Sequence, residues 1–381
     1  MNLHIRDSYK KKFVSFEFER KVKADRIEQV KIGIFDPYLD TLGGGEKYIL
    51  DIASCLSKKN SVFLFWNDSN ILDKAKERFG VDYSAIKLKQ NIFSSKYFFL
   101  KKLFESAKYD LIIYLSDGSL PFLLSKKNVL LFQFPVNWVR GKNLIARLKF
   151  KKVDKVICYS DFVKKFLDRT FPKESIVLPP AIDIAKTKKG PKENIILSVG
   201  RFTKALNTKK QDFLIDSFKK MCSKGLKGWK LILIGSSLPK DEDFVNSLSA
   251  GVENFPIKIY NNASFKTLSG YYAKAKIYWH AAGYGEDLQK NPEKAEHFGI
   301  STLEAMAEKA VPLVFNGGGQ TEIVKDKKNG FLWNTQEELI DKTMQIIINP
   351  KLLKDISDNA VERAKDFSSE TFCKRVNDLL I

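Results

Sequence analysis

Short runs of β-branched and aromatic residues alternate with longer stretches of helical period twice along this chain, and that alternation constrains the fold more than any single motif does. The first series is KIGIFDP (31–37), SVFLFW (61–66), DLIIYL (110–115), NVLLFQF (128–134) and KVICYS (155–160). The second is NIILSVGRF (194–202), WKLILIGSS (229–237), IKIYN (257–261), AKIYWHAA (275–282) and VPLVFN (311–316). Strands separated by helices imply a parallel, doubly wound sheet with helices on both faces. With 381 residues the chain exceeds one ordinary core, so two α/β domains are expected. The break falls where SIVLPPAID, with Pro179 and Pro180, gives way to the polar stretch AKTKKGPKEN. The expected division is an unassigned extension at 1–30 with a candidate strand at 13–18, a first domain at 31–185, a second at 186–365, and a C-terminal helix at 366–381 packing back on the first.

In open α/β sheets ligands gather at the carboxyl ends of the strands, and the unusual residues of this chain cluster there. Gly43, Gly44 and Gly45 follow the first strand and precede an amphipathic helix. Strand, glycine turn and helix form a phosphate cradle, or equally a plain tight turn. The turn carries neither GxGxxG nor GxxxxGK[ST], which disfavours a dinucleotide site and a Walker NTPase. Arg201 ends the first strand of the second series and Lys209 opens the next helical run, with Lys210 as its alternate. Two cations there suit a diphosphate, Arg forking two oxygens and Lys acting as a point charge. NGGGQTEIV (316–324) supplies another glycine turn, in which Gly318 and Gly319 allow close backbone approach.

The densest motif is EHFGISTLE, in which Glu296 and Glu304 are separated by seven residues where an irregular run becomes a helix. Gly299 sits where the helix opens, and free N–H groups there favour an anion or a polyhydroxyl ligand. Ser301 followed by Glu304 also fits a capping box, so Glu304 carries two readings. The acidic run Asp241-Glu242-Asp243 fits a helix's first turn better than a metal site. His4, His280 and His297 are the only histidines, too few for a metal cluster or an acid–base triad. No metal and no cofactor is expected. Residues 283–294 are expected to form a loop over the site.

The net charge of +20 is unevenly distributed. Residues 94–152 hold twelve Lys or Arg against three acidic residues, interleaved with Phe, Leu and Ile. Such segments suit an anionic membrane surface or a polyanion, the alternative being a solvated basic face. No run approaches the roughly 18 apolar residues of a membrane span, and no signal-peptide core is present, so a cytoplasmic protein is expected. Cys55, Cys158, Cys222 and Cys373 lie far apart with no CxxC pair, and are expected to be buried thiols rather than a disulfide framework.

Taken in order, FDPYLDTLGGGEKYIL, VICYSDFVKKFL, IVLPPAID, LSVGRF, KKQDFLIDSF, EHFGISTLE and NGGGQTEIV resemble the retaining glycosyltransferases of family 4, with the GT-B architecture of two Rossmann-like domains facing a cleft. The resemblance spans residues 31–370, and EHFGISTLE is similar to that family's E-x7-E motif. It implies that Glu296 holds donor-sugar hydroxyls, that the backbone of Phe298, Gly299 and Ile300 contacts sugar and phosphate, and that Glu304 binds the ribose. It further implies that Arg201 and Lys209 neutralise the diphosphate, that Gly43, Gly44 and Gly45 approach the phosphate from the other domain, and that Gly318 and Gly319 line the sugar pocket. Gln133 stands where the family commonly has a histidine, and an amide cannot relay a proton at neutral pH.

FDPYLDTLGGGE and YWHAAGYG look like the Alg11-like mannosyltransferase branch, implying GDP-mannose as donor and a lipid-linked glycan as acceptor, with the enzyme peripheral on the cytoplasmic face of a membrane. The same cleft would serve a nucleotide-sugar epimerase or a phosphorylase. A basic nucleic-acid-binding module would account for the charge but not for the paired carboxylates, so nucleic acid is not an expected partner.

Overall fold

The structure is a computed structural model that describes residues 29–94, 97–139, 141–183, 190–203 and 209–381; the candidate strand at 13–18 lies outside them. Two parallel sheets carry the chain. The first has seven strands among the described residues: β1 (Lys31–Phe35), β2 (Ser61–Phe65), β3 (Lys87–Lys89), β4 (Leu111–Leu115), β5 (Lys127–Phe132), β6 (Lys155–Cys158) and β7 (Ser175–Val177), ordered β3-β2-β1-β4-β5-β6-β7. The second has six: β8 (Glu193–Val199), β9 (Lys230–Gly235), β10 (Ile257–Asn261), β11 (Ala275–His280), β12 (Val311–Phe315) and β13 (Phe331–Trp333), ordered β10-β9-β8-β11-β12-β13. Each order reverses beside its first strand, because β1 pairs with both β2 and β4 and β8 with both β9 and β11. Those switch points are where ligand crevices open in doubly wound sheets. The glycine turn follows β1, and Arg201 follows β8.

Helices cover both sheets. Around the first lie α1 (Gly44–Ser57), α2 (Ile71–Phe79), α3 (Phe99–Ser106), α4 (Leu144–Phe150) and α5 (Asp161–Thr170). Around the second lie α6 (Gln211–Ser223), α7 (Glu242–Ala250), α8 (Phe265–Lys274), α9 (Ile300–Ala307), α10 (Gln320–Ile323), α11 (Gln336–Ile348) and α12 (Pro350–Lys365). Burial on both faces explains the unbroken apolar strands: Ile32, Ile34, Ile113 and Leu131 join one cluster, while Leu130, Phe132 and Val156 join another on the opposite face. Two GT-B traits, paired parallel sheets and strand order reversing at a central strand, are thus both present.

The last helix, α13 (Ser369–Leu380), starts on Ser368, whose hydroxyl accepts from the Thr371 N–H at 3.3 Å. Its buried Phe372, Val376 and Leu380 share a cluster with Ile52, Leu56 and Tyr48 of α1. Tyr48 and Phe372 rings lie 5.6 Å apart, and the Lys127 ammonium donates to the Ile381 carbonyl at 2.8 Å. This crossing corrects the cysteine expectation. Cys55 of α1 and Cys373 of α13 form a disulfide across 318 residues of sequence, a pairing made by the helix return and invisible in local spacing. Cys158 and Cys222 are free thiols, Cys158 buried and Cys222 half-buried. Asp241 stands just before α7 without a side-chain cap bond, and Glu242 and Asp243 occupy the helix's first turn, as their helix-start reading requires.

Candidate active site

The loop from β11 to α9 is held open by backbone geometry that only small residues tolerate. Gly299 precedes α9 with φ of 118°, in the left-handed region. A Cβ on Gly318, which has φ of 63°, would lie 2.2 Å from the Glu296 carbonyl oxygen. A Cβ on Gly319 would lie 2.5 Å from that of His297. The Gly319 N–H donates to the Glu296 carbonyl at 2.7 Å. The two glycine-bearing turns are therefore packed backbone on backbone, and Glu296 is fixed by the second.

Its carboxylate is fixed as tightly. Lys209 Nζ donates to Glu296 Oε2 at 2.6 Å, with the two side chains 15% and 13% exposed. His280, fully buried at the end of β11, brings Nε2 to 2.7 Å from the same oxygen without the alignment of a directed hydrogen bond. Burial alone would raise the Glu296 carboxyl, but the Lys209 ammonium, aided by His280, holds it well below the usual range. The same burial holds the His280 imidazole below its ordinary value. Burial, with the cations Lys209 and Arg201, also lowers His297 to about 4, so its ring is neutral at physiological pH. Arg201 is exposed at the mouth of β8. Lys210, the alternate for Lys209, adopts φ of 55° and turns to Glu286 at 2.7 Å.

Across the cleft, Gly43 and the first turn of α1, which already includes Gly44 and Gly45 rather than following them as expected, meet this loop. A Cβ on Gly44 would touch Ile300 Cδ1 at 3.4 Å, and one on Gly45 would strike Gln133 Oε1 at 2.3 Å. Gln133 Nε2 donates to the Gly45 carbonyl at 2.9 Å, so the amide that departs from the family pattern braces the turn. Glu46 occupies part of the expected cradle: its Oε2 accepts from the Gly43 N–H at 2.6 Å and from Thr41 Oγ1 at 2.8 Å. Phe298 is buried with its ring 5.6 Å from Phe367, leaving only its backbone for a ligand.

Glu304 is not a capping residue. The cap of α9 is Gly299, and the Ser301 hydroxyl instead pairs with Tyr278 Oη at 2.7 Å. Burial raises the Glu304 carboxyl, opposed by Tyr272 and by Lys47 of α1. Burial first, then the negative charge of Glu296 and Glu304, holds the Tyr278 hydroxyl above its ordinary value. Of residues 283–294, Glu286 to Gln289 line a cleft of about 630 Å³ together with Asp161, Phe162, Gly318 and Glu322, a lining that does not include Lys209, Glu296 or Glu304.

Two buried groups gain a place at the site only through the fold. His280 looked isolated, because nothing in the spacing 280 to 296 signals contact. Asp36, fully buried at the end of β1, accepts from the Tyr38 N–H at 2.8 Å, while its Oδ2 has no partner among the described residues. Burial, then Glu46, pushes its carboxyl up to about 7. A strand-ending carboxylate just before Pro37 was the available signal.

Residues 181–363, which contain Arg201, Lys209, Glu296 and Glu304, match the family Glycosyl transferases group 1. This segment, just under half of the chain, is similar to the group 1 glycosyltransferases. An uncharacterized glycosyltransferase of Methanocaldococcus jannaschii is 29% identical over 221 residues, 57% of this chain and 56% of that one. The mouse GDP-Man:Man(3)GlcNAc(2)-PP-Dol alpha-1,2-mannosyltransferase is 31% identical over 222 residues, 55% of this chain and 40% of that one. The chain thus spans about half the length of the curated relatives it matches. Among solved structures, Anabaena HepE in complex with UDP and glucose superposes with a TM-score of 0.70 at 20% identity, covering 92% of this chain and 99% of that one. WaaG, a glycosyltransferase involved in lipopolysaccharide biosynthesis, gives 0.62 at 16% identity, covering 92% and 99%. At such identities the likeness is one of fold, and the fold is GT-B.

Proposed function

We propose that this chain is a retaining glycosyltransferase that moves a sugar, with mannose from GDP-mannose the favoured donor, to a lipid-linked glycan. The observation that carries this reading is the Lys209–Glu296 pair set at the second sheet's switch point, directly opposite the glycine turn of the first. Cleaving the bond between an anomeric carbon and a diphosphate builds negative charge on the leaving oxygens, and fixed cations stabilise it there. Lys209 and Arg201 supply that charge without a metal ion. Glu296, kept ionised by Lys209, accepts from sugar hydroxyls, and the N–H groups opening α9 face sugar and phosphate. Glu304 takes the ribose hydroxyls. Attack comes from the face the leaving group departs, with no protein nucleophile. The mannosyl donor rests on the likeness to the mouse mannosyltransferase.

A bilayer is the proposed partner of the first sheet's helices. In α3 every apolar side chain is at least partly exposed, with Phe98 just before it 79% and Phe104 67% exposed, and in α4 Leu144 is 74% exposed. Phe122 joins the two, 6.1 Å from the Phe99 ring and 5.3 Å from Lys149 Nζ. Lys101, Lys142, Arg147, Lys151 and Lys152 stand exposed around this face, and bases around an apolar face suit anionic headgroups. The test is transfer by purified protein offered GDP-mannose, UDP-glucose and UDP-GlcNAc, together with thermal protection by each nucleotide. Absence of turnover and of protection with all of them would overturn the reading.

A further inference from the structure

Two stretches that the donor chemistry leaves unused, Ser160–Phe162 and Gln320–Glu322, meet across the cleft. The start of a helix leaves its first N–H groups without intrahelical partners. At α5 these donors are satisfied from the other sheet's side: Glu322 Oε2 accepts from the Asp161 N–H at 2.9 Å, and Oε1 from the Phe162 N–H at 2.8 Å. A carboxylate at a helix N-terminus also meets the positive end of the helix dipole. Ser160, the residue before α5, accepts from the Val163 N–H at 3.2 Å and donates to the His297 carbonyl at 2.6 Å. Glu322 is anchored from behind, since Arg363 Nη2 donates to its backbone carbonyl at 2.8 Å.

These contacts seize the turns that carry the candidate site. His297 adjoins Glu296, and Gly318, on the turn leading into α10, packs against the Glu296 carbonyl. Every bond between the halves here joins a group that water would satisfy equally well if the cleft opened, so making and breaking them is nearly balanced. A balanced contact at the rim of a cleft suits reversible closure better than permanent bracing.

We propose that Glu322 and Ser160 form a closure latch and are positioning residues for sugar transfer: capping of α5 by Glu322 and capture of the His297 carbonyl by Ser160 bring Glu296 into register with the Gly43–Gly45 turn. The kinetic consequence rests on the glycosyltransferase reading; the conformational one does not.

The experiment compares Glu322→Ala, Glu322→Gln and Ser160→Ala with the parent, all in a Cys222→Ser background. Nitroxides at Lys165→Cys and Lys290→Cys report the distance across the cleft, with and without GDP and UDP. The parent gives one narrow distance, and Glu322→Ala a longer and broader distribution. Glu322→Gln falls between, because its amide oxygen accepts from one N–H while its NH₂ faces the other. In transfer assays Glu322→Ala lowers kcat by about tenfold or more, as misplacement of reacting groups does. Nucleotide affinity changes by less than about threefold, because Arg201, Lys209 and Glu304 all lie on the second sheet's side. A parent-like narrow distance in Glu322→Ala overturns the latch, as does a loss of nucleotide affinity equal to the loss of kcat. If the parent turns over no nucleotide sugar, the functional reading fails while the distance measurement still decides the latch.

Discussion

Glu296→Gln separates the electrostatic work of this residue from its shape. The substitution keeps volume and one acceptor but removes the charge that faces Lys209 at 2.6 Å and His280 at 2.7 Å. Deleting one partner of a fully buried pair costs about 3–5 kcal/mol. Here each partner keeps about one-seventh of its side chain exposed, and Gln still accepts a hydrogen bond, so the expected loss is about 1–3 kcal/mol. In a domain of this size that lowers Tm by roughly 3–9 °C. A Glu296→Gln, Lys209→Met double variant relieves the stranded ammonium, and the cycle should show a coupling of at least about 1 kcal/mol. Turnover should fall by about 10²- to 10³-fold, the scale of losing one preorganised polar contact. The pH dependence has a defined sign. A carboxyl depressed in the folded state contributes stability that is present above its unfolded value and lost as pH falls through the folded one. The parent therefore keeps this contribution at pH 5 and loses it only well below 4.5, whereas the variant shows no such loss. Scanning fluorimetry across pH and single-turnover transfer measure both arms. Parent-like turnover would remove Glu296 from the sugar site; zero coupling with Lys209 would refute the pairing.

Three further outcomes follow from the same geometry. Gly318→Ala forces a side chain into φ of 63° and within 2.2 Å of the Glu296 carbonyl; strain of about 1–3 kcal/mol should lower Tm and displace Glu296, with kcat falling more than nucleotide affinity, measured by transfer kinetics and calorimetry. Cys373→Ser should cost about 2–4 kcal/mol in non-reducing chemical denaturation, and dithiothreitol should bring the parent to the same midpoint while leaving the variant unchanged. Phe98→Ser combined with Phe104→Ser removes two exposed rings of the basic helical face and should cut sedimentation with phosphatidylglycerol vesicles at least about tenfold, while turnover of a soluble acceptor stays at the parent level.

The fold is legible in the chain because a parallel strand buried on both faces writes itself as an apolar run. KIGIF, LIIYL and KLILIG all become interior strands, paired on both sides. The edges are not legible in the same way. β3 is Lys87-Leu88-Lys89, three residues with both lysines in solvent, and β13 is only Phe331-Leu332-Trp333; neither is long enough to show a period. Site residues divide along a similar line. Glycine turns and the spacing of Glu296 from Glu304 are local, and so can be read along the sequence. Which lysine reaches Glu296 depends on Lys210 taking a left-handed backbone and pointing elsewhere. The approach of His280 to Glu296 depends on a loop returning to the strand it left. The Cys55–Cys373 pair depends on the final helix crossing to α1.

The capping-box reading of Ser301 and Glu304 fails for a reason that bears on the chemistry. Had Ser301 capped the helix, α9 would begin two residues later and its first N–H groups would be satisfied within the chain. Instead the helix starts on a glycine with no side chain to offer, and Ser301 turns to Tyr278. That keeps the start of α9 without a side-chain cap of its own, facing Gly44 across the cleft, while Glu304 one turn later faces Lys47 of the opposite helix. At α5, by contrast, Ser160 caps the Val163 N–H and Glu322 from the other side accepts from those of Asp161 and Phe162. The start of α5 is thus closed by Ser160 and Glu322 while that of α9 carries no side-chain cap, and on the proposed reading this asymmetry favours donor binding at α9 rather than at α5.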